Sequence, residues 1–407
     1  MPLEKPQLPL PGSREILAGL SRQHAANALA AFIFAASGPV AIILSVASRG
    51  GLAADLISSW LFGAFFLNAL ITIAFCLAYR QPLVFFWTIP GTVLVGPALT
   101  HASLAEVVGA YVVTGLLMLV LAVTGLVRRG MSIVPLPIVM AMVAGVFLPF
   151  GVGWITAFKQ DFAIAVVMTG AFFVTSAMPA LGRRLPPLVA ALIAGVLLAV
   201  IMGRFDTQAT FAHALVAPQF IMPAFSWPVL VELVVPLAIT VLVIQNGQGI
   251  AVLKTVGHEA PTNSVAAACG IGAIVTGLVG SASTCLTGPV NAIISSGGER
   301  TTQYVAGLLV AVLALAFGLF APVFTHYMLA APPALIAVLA GLAMLRVLGA
   351  SFTAAFNRTF TLGAVVTFLV TVAGLPILNI GAPFWGLVFG VATSFVLERG
   401  DFARKEA

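Results

Sequence analysis

Gln245, Asn246 and Gln248 fall within one four-residue step, interleaved with Gly247 and Gly249 and bounded by the apolar runs ITVLVI and IAVL. Amides surrounded by apolar sequence are costly unless they meet partners or a ligand, and they both donate to and accept from a small polar solute. Gluing one helix to another is the plainer use of the same groups. Two further stretches supply hydroxyls and backbone amides. PLVFFWTIPGTVLVGPAL, from Pro82, holds Trp87 and Thr88 ahead of Pro90-Gly91, and GSASTCLTGPVNAIISSGG, from Gly280, holds Ser283, Thr284 and Cys285 ahead of Gly288-Pro289. Proline removes a backbone donor and clashes with the turn before it, and the β-branched and aromatic residues ahead of it favour extended backbone. Each stretch reads as a short strand leading into a half helix, with an ordinary proline kink as the alternative. The N-terminus of a half helix offers unpaired amides and a positive dipole end, which suits a carboxylate.

Bond-breaking chemistry needs a nucleophile with its base, or a converging acid and base, and these stretches contain neither. Nor do they show the charged rings or carbonyl motif of an ion-channel filter. Glu106 and Glu232 are the only acids inside apolar segments. Ser103-Leu104-Ala105-Glu106 has the spacing of a capping box, which assigns Glu106 to structure. Glu232 has no such pattern and reads as a residue at the membrane interface, with a proton-relay role as the alternative. His24, His101, His213, His258 and His326 fall in loops or near segment ends and read as surface groups. Cys76, Cys269 and Cys285 lie in apolar runs without metal-ligand spacing and read as packed thiols, so no metal and no cofactor is expected.

A membrane-embedded bundle must position these groups. The 407 residues are 61% hydrophobic and 7% charged with mean hydropathy +1.15, whereas a soluble domain runs near a quarter charged. The net charge of +6 would suggest nucleic acid in a soluble protein; in a membrane chain its placement matters instead, and no nucleic-acid partner is expected. A hydrocarbon core about 30 Å thick takes roughly 17 to 25 apolar residues per helix. Apolar runs between polar or Gly/Pro punctuation give fourteen segments, near 25-46, 57-79, 82-100, 104-127, 133-150, 161-181, 186-203, 228-252, 262-279, 282-297, 302-322, 333-351, 359-375 and 381-397. Residues 1-22, with four prolines and mixed charges, lack the apolar stretch of a cleaved signal and read as a cytoplasmic tail. With the N-terminus inside, only Arg49, Lys159 and Arg204 of the eighteen basic residues fall outside, and Arg128, Arg129, Arg183 and Arg184 are among those inside. This is the bias expected of inner-membrane proteins.

The chain also repeats itself. PIVMAMVAGV at Pro137 resembles PALIAVLAGL at Pro333, Pro187 and Pro383 share that offset, and Gly91 pairs with Gly288 one residue further. An odd number of spans per copy inverts the second copy. The expectation is an all-α membrane protein of 14 spans as 7+7 inverted repeats, spans 3 and 10 each a short strand plus half helix. Its parts are a tail 1-22, a first repeat 23-203, an external connection 204-227, a second repeat 228-398 and a cytoplasmic tail 399-407. Inverted repeats of this kind build alternating-access carriers with the site at the midplane.

These segments resemble the benzoate/proton symporter family of the BenE type. The resemblance lies in FFWTIPG at Phe85, IQNGQGIAVLK at Ile244, GSASTCLTGPVNAI at Gly280 and NIGAPFWGLVFG at Asn379, and it covers residues 20 to 400. It implies the fold of uracil/xanthine permeases and sulfate-type anion transporters, with core and gate domains and a site formed by the third, eighth and tenth spans. Nucleobase permeases place acids on the eighth and tenth spans. This chain has Gln245 at the first place and Pro289 at or near the second, which weighs against a nucleobase and leaves the proton-coupling residue unassigned. The resemblance implies proton-coupled symport of a small aromatic carboxylate such as benzoate across the inner membrane. Gln245, Asn246, Gln248, Ser283, Thr284, Cys285 and the amides at Gly288 would hold the carboxylate, and Trp87 with Thr88, or nearby Phe85 and Phe86, the ring. Trp87 as a packing residue is the alternative, as is a nucleobase or inorganic-anion carrier on the same fold. Protons and the lipid bilayer are the implied partners, and the reading admits a homodimer.

Overall fold

The computed structural model describes residues 3–127, 134–178, 180, 182, 185–204, 213–378 and 380–406. Arg128, Arg129, Arg183, Arg184 and Asn379 lie outside the described residues, as do residues 205–212 of the 204-227 connection. The chain is a mostly helical membrane protein. Among the described residues seven helices are long and apolar enough to cross a bilayer: Arg22–Arg49, Ala54–Tyr79, Leu104–Thr124, Leu136–Gln160, Trp227–Thr255, Arg300–Leu319 and Pro333–Ala355. Shorter apolar helices occupy Ile89–Ala98, Phe162–Ala177, Pro187–Ile201, Thr262–Gly277, Thr361–Ala373 and Ala382–Leu397. The first long helix is broken at Ser37, whose φ of −97° and ψ of −100° leave the helical region just before Gly38-Pro39.

The helices form two groups. Leu136–Gln160, Phe162–Ala177, Pro187–Ile201, Pro333–Ala355, Thr361–Ala373 and Ala382–Leu397 pack chiefly among themselves, and the others pack around a pair of strands. Leu136–Gln160 and Pro333–Ala355 lie along each other, and a Cβ added at Gly341 would strike Trp154 and the Phe150 carbonyl, so a small residue sets their approach.

β1 (Phe85–Trp87) and β2 (Thr284–Leu286) are antiparallel, with Phe85 opposite Leu286 and Trp87 opposite Thr284. Thr88 N donates to Ser283 O at 2.8 Å and Thr287 N to Val84 O at 3.2 Å. Each strand runs straight into a helix, Ile89–Ala98 after Thr88 and Gly288–Ile294 after Thr287, with Pro90 and Pro289 in the first turns. The proline rule thus places both strand-to-helix steps correctly. Superposed on their N-cap positions, Thr88 and Thr287, the two steps set Gly288 against Ile89. The N-cap position and the proline define the step.

Three-residue strands leave backbone groups that must be satisfied within the protein at membrane depth. Neighbouring side chains do this. Thr72 Oγ1 accepts from Phe85 N at 2.9 Å, and Asn246 Oδ1 accepts from Leu286 N at 2.8 Å. Asn291 Oδ1 accepts from Val84 N at 3.0 Å while its Nδ2 donates to Val84 O at 3.2 Å and Thr287 O at 2.8 Å. Asn68 Oδ1 accepts from Thr284 Oγ1 at 2.7 Å. Two π-helical turns, Gly63–Leu67 and Thr240–Asn246, pack against the strands and deliver Asn68 and Asn246 to them. An extra residue in a helical turn re-aims the side chains around it, which is why such turns gather at functional places.

The N-terminal tail docks on one face. Tyr79 Oη donates to Glu4 O at 2.7 Å, Arg80 Nε to Pro9 O at 2.9 Å, and the Glu4 carboxylate accepts from Asn263 N and Ser264 N at 3.1 and 2.9 Å. Burial pushes the Glu4 carboxyl up, but these amides outweigh it and hold the group below its ordinary range. The connection 213–226 lies on a different set of helix ends: Gln219 N donates to Ser59 Oγ, Ile221 N to Leu278 O and Ala224 N to Ala105 O. Two histidines depart from the surface reading. His24 is buried with Nδ1 on Gly19 O at 2.9 Å, and His258 is buried with Nε2 on Gln303 Oε1 at 2.8 Å, because the tail and the 258–303 loops fold over them.

Removing an amide that satisfies buried strand backbone should cost about 1 to 3 kcal/mol per orphaned group. Asn246→Ala and Asn291→Ala should each lower the melting temperature of the purified protein, the second more because Asn291 serves three backbone groups. Thr255→Ala, which removes an exposed hydroxyl bonded only within its own turn, should leave it unchanged. Parent-like melting of both asparagine variants would show that the strands are held some other way.

Candidate functional site

The strand pair and its two half helices bring most of the sequence-derived residues together. Trp87, Thr88, Gln245, Asn246, Ser283, Thr284, Cys285 and Gly288 are all buried there, and Gln248 is exposed beside them. Because β1 and β2 are antiparallel, the half helices leave opposite ends of the pair, and both N-terminal ends sit at the depth of the strands.

Those two ends differ chemically. Thr88 Oγ1 accepts from Gly91 N at 3.2 Å, and Thr92 Oγ1 donates back to Thr88 O at 3.0 Å, so the first half helix caps itself. Thr287 makes no such bond at the second. Over that uncapped end lies Gln248: a Cβ added at Gly288 would stand 2.6 to 2.8 Å from Gln248 Cγ, Cδ and Oε1. The bare Gly288 edge therefore lets an exposed primary amide rest against the first turn of a half helix, where it can share an anion with the helix amides.

The remaining candidates divide. Asn246 spends its carbonyl on Leu286 N and directs its Nδ2 to Cys269 Sγ at 3.4 Å, and Thr284 spends its hydroxyl on Asn68. Cys285 packs in an apolar cluster with Phe85, Leu286 and Cys269. Trp87 packs in a ring cluster, tilted against Phe65 at 4.9 Å and edge-on to Phe86 at 5.7 Å, and Phe65 reaches Phe317 at 4.4 Å. Phe85 turns away to Phe75 at 5.0 Å. The Nε1 of Trp87 and the Oγ of Ser283 are buried without a hydrogen-bond partner.

Asn68, Thr72 and Asn291 escaped the sequence reading, although a lone Asn inside FFLNALITIAF or GPVNAI is the same anomaly that singled out Asn246. The Glu106 reading holds: Ser103 N donates to Glu106 Oε2 at 2.8 Å and Glu106 N to Ser103 Oγ at 3.4 Å, a full capping box. Glu232 is buried with Oε2 at 3.0 Å from His101 Nε2, a pairing across 131 residues that no local pattern announces.

Two cavities flank this centre. One of about 590 Å³ lies between the first half helix, at Val93 and Gly96, and the second helix group, at Phe150, Thr371 and Pro383, with Arg49 and His101 at its wall. The other, of about 1050 Å³, lies on the tail face among Glu4, Arg80, Lys254, His258 and Arg300, and reaches the helix that carries Gln248 at Ile250 and Lys254. Among the described residues no group of three or more His, Cys, Asp or Glu side chains is placed to hold a metal ion.

Residues 20–396 match the family described as benzoate membrane transport protein. The chain is 31% identical over 362 residues to inner membrane protein YdcO of Escherichia coli (strain K12), covering 88% of this chain and 91% of the relative. It is 26% identical over 375 residues to the benzoate membrane transport protein of Acinetobacter baylyi, covering 90% and 93%. In fold it is similar to the transmembrane domain of a cyanobacterium bicarbonate transporter, BicA, with a TM-score of 0.64, 18% identity and coverage of 94% of this chain and 99% of that one. SLC26A9 gives a TM-score of 0.62 at 15% identity, covering 92% and 64%. With a family match across nearly its whole length, a transporter fold and an integral-membrane helix bundle, this chain belongs to the benzoate membrane transport protein family and is a membrane transporter, not an enzyme.

Proposed function

We propose that the chain carries benzoate or a closely similar aromatic carboxylate across the inner membrane together with protons. The observation that carries this reading is the antiparallel strand pair, which sets two half-helix N-termini at one depth in a member of this family. Amides at the Gly288 end and the Gln248 side chain hold the carboxylate, with Gln245 beside them. Trp87 Nε1 and Ser283 Oγ are buried donors that a substrate seated between the half helices would satisfy. Asn246, Thr284 and Cys285 contribute by holding or packing the strands, and Thr88 by capping. The fold likeness to anion carriers is one of architecture and gives the inorganic-anion alternative no site of its own.

The same reading takes the fourteen segments as spans in 7+7 inverted repeats, with residues 23-203 and 228-398 as the two copies and both termini cytoplasmic. Its support is directional. Equivalent Thr-x-Pro steps follow strands that run antiparallel, and equivalent segments can run antiparallel only if the copies are inverted. The tail groups with the loops at Arg80, His258 and Arg300, while 213–226 rests on the ends at Ser59, Ala105 and Leu278. Exposed Phe173, Val200, Leu369 and Phe395 give the second helix group a lipid-facing surface.

Uptake of labelled benzoate into proteoliposomes should require an inward proton gradient and ignore sodium; equal uptake with sodium alone contradicts symport with protons. Gln248→Ala should weaken benzoate binding by calorimetry roughly 5- to 150-fold, the loss of about 1 to 3 kcal/mol for one hydrogen bond in a water-poor site. Parent-like affinity would move the carboxylate away from Gly288. Cysteines placed singly at 213 and 258 should label from opposite sides of the membrane, and labelling from one side would overturn the fourteen-span orientation.

A further inference from the structure

Glu232 stands apart from the centre just described, yet it joins the two helix groups. It lies on Trp227–Ile239 in the strand-bearing group, buried to 2% of its side chain, with Oε2 at 3.0 Å from His101 Nε2. The same carboxylate lies against the backbone of Gly381, the N-cap of Ala382–Leu397 in the second group. A Cβ added at Gly381 would run into the Glu232 carboxyl, so glycine there is what allows the contact. His101 is 38% exposed at its side chain and lines the cavity between the two groups, as does Gly381.

One further charge acts on this pair: the Glu106 carboxylate lies within electrostatic reach of His101. Helices Ile89–Ala98 and Ala382–Leu397 bring no titratable side chain to it. Leu104–Thr124 carries Glu106, held in its own cap, and Tyr111, packed on Gly277. Arg49 lines the same cavity but lies over the Phe150 ring, 5.7 Å from its centroid.

We propose that Glu232 is the group that takes up the coupled proton, through His101, and that its ionised form latches the two helix groups together at the outer mouth. A proton from cavity water adds to His101 Nδ1 while the Nε2 proton passes to Glu232 Oε2. The net change is one proton gained, a neutral carboxyl and an imidazole still neutral in the other tautomer. The Gly381 backbone then faces a neutral carboxyl in place of an anion, and polar contacts to ionised groups are roughly twice as strong as neutral ones. Protonation therefore loosens the contact between the groups, which couples proton binding to the opening of the outer cavity. Identifying this proton with the symported one rests on the transport reading above; the latch itself does not.

The test uses the full chain in native membranes, with its own cysteines replaced and Val372→Cys, a residue lining this cavity, as the reporter. Labelling rates are taken relative to unfolded protein at the same pH, which removes the titration of the thiol. Between about pH 8 and pH 5 the parent should label faster as pH falls, by roughly fivefold for loss of the ionic share of one polar contact. Glu232→Gln should label at the fast rate at every pH. Gly381→Ala, which keeps the carboxyl but displaces it, should do the same and covers the case in which Glu232→Gln fails to fold. A pH-independent parent, or a pH response retained in either variant, overturns the latch. A parent that keeps this pH response but takes up no benzoate on a proton gradient supports the latch and contradicts the symport reading, so the two failures are told apart.

Discussion

Unpaired backbone at membrane depth is the constraint on which this structure turns. A helix satisfies its own peptide groups, but a helix cannot present free amides to a substrate at the middle of a bilayer. The chain resolves this by stopping two helices short and filling the gap with two three-residue strands. The strands pair with each other, and Asn246, Asn291 and Thr72 take up backbone groups that the pairing leaves over. Everything near the centre follows from that arrangement: the prolines that forbid a continuous helix, Thr88, which caps the first restart, and the π-helical turns that swing two asparagines inward.

The arrangement also separates rigidity from recognition. Asparagines bound to strand backbone are fixed by geometry on both sides and have little freedom to meet a ligand. Gln248, by contrast, is exposed and rests on the bare edge of Gly288, so it remains available. In the proposed reading, pre-organised helix amides with one adaptable side chain would hold an anion at little cost, because the amides need no reorganisation when a ligand arrives. Contacts between the helix groups are of another kind, made through small residues and isolated polar links such as Arg49 over Phe150 and Glu232 at Gly381. Sparse contacts of this sort suit surfaces that shift relative to one another.

Much of this was legible in the sequence, for stated physical reasons. The strand-to-helix steps were readable because proline acts locally: Pro90 and Pro289 each forbid a continuous helix through the residues before them, so an extended piece ends and a helix restarts there. The Glu106 capping box was readable for the same reason. The role of Asn246 was not, because whether a buried amide serves backbone or ligand depends on what lies across from it, here Leu286 forty residues away. The same holds for Glu232, whose partners His101 and Gly381 lie far off on both sides in the chain. His24 and His258 misled for a related reason: proximity to a helix end implies exposure only when no loop or tail folds over it.

The most direct measurement of the central claim is a structure of the full-length protein with para-bromobenzoate, the bromine located by its anomalous scattering. The account predicts the carboxylate against the Gly288 and Val290 amides within hydrogen-bonding reach of Gln248, and the bromine directed away from that half helix. A carboxylate bound instead among Arg80, Lys254 and Arg300 on the tail face, with Gln248 untouched, would contradict it.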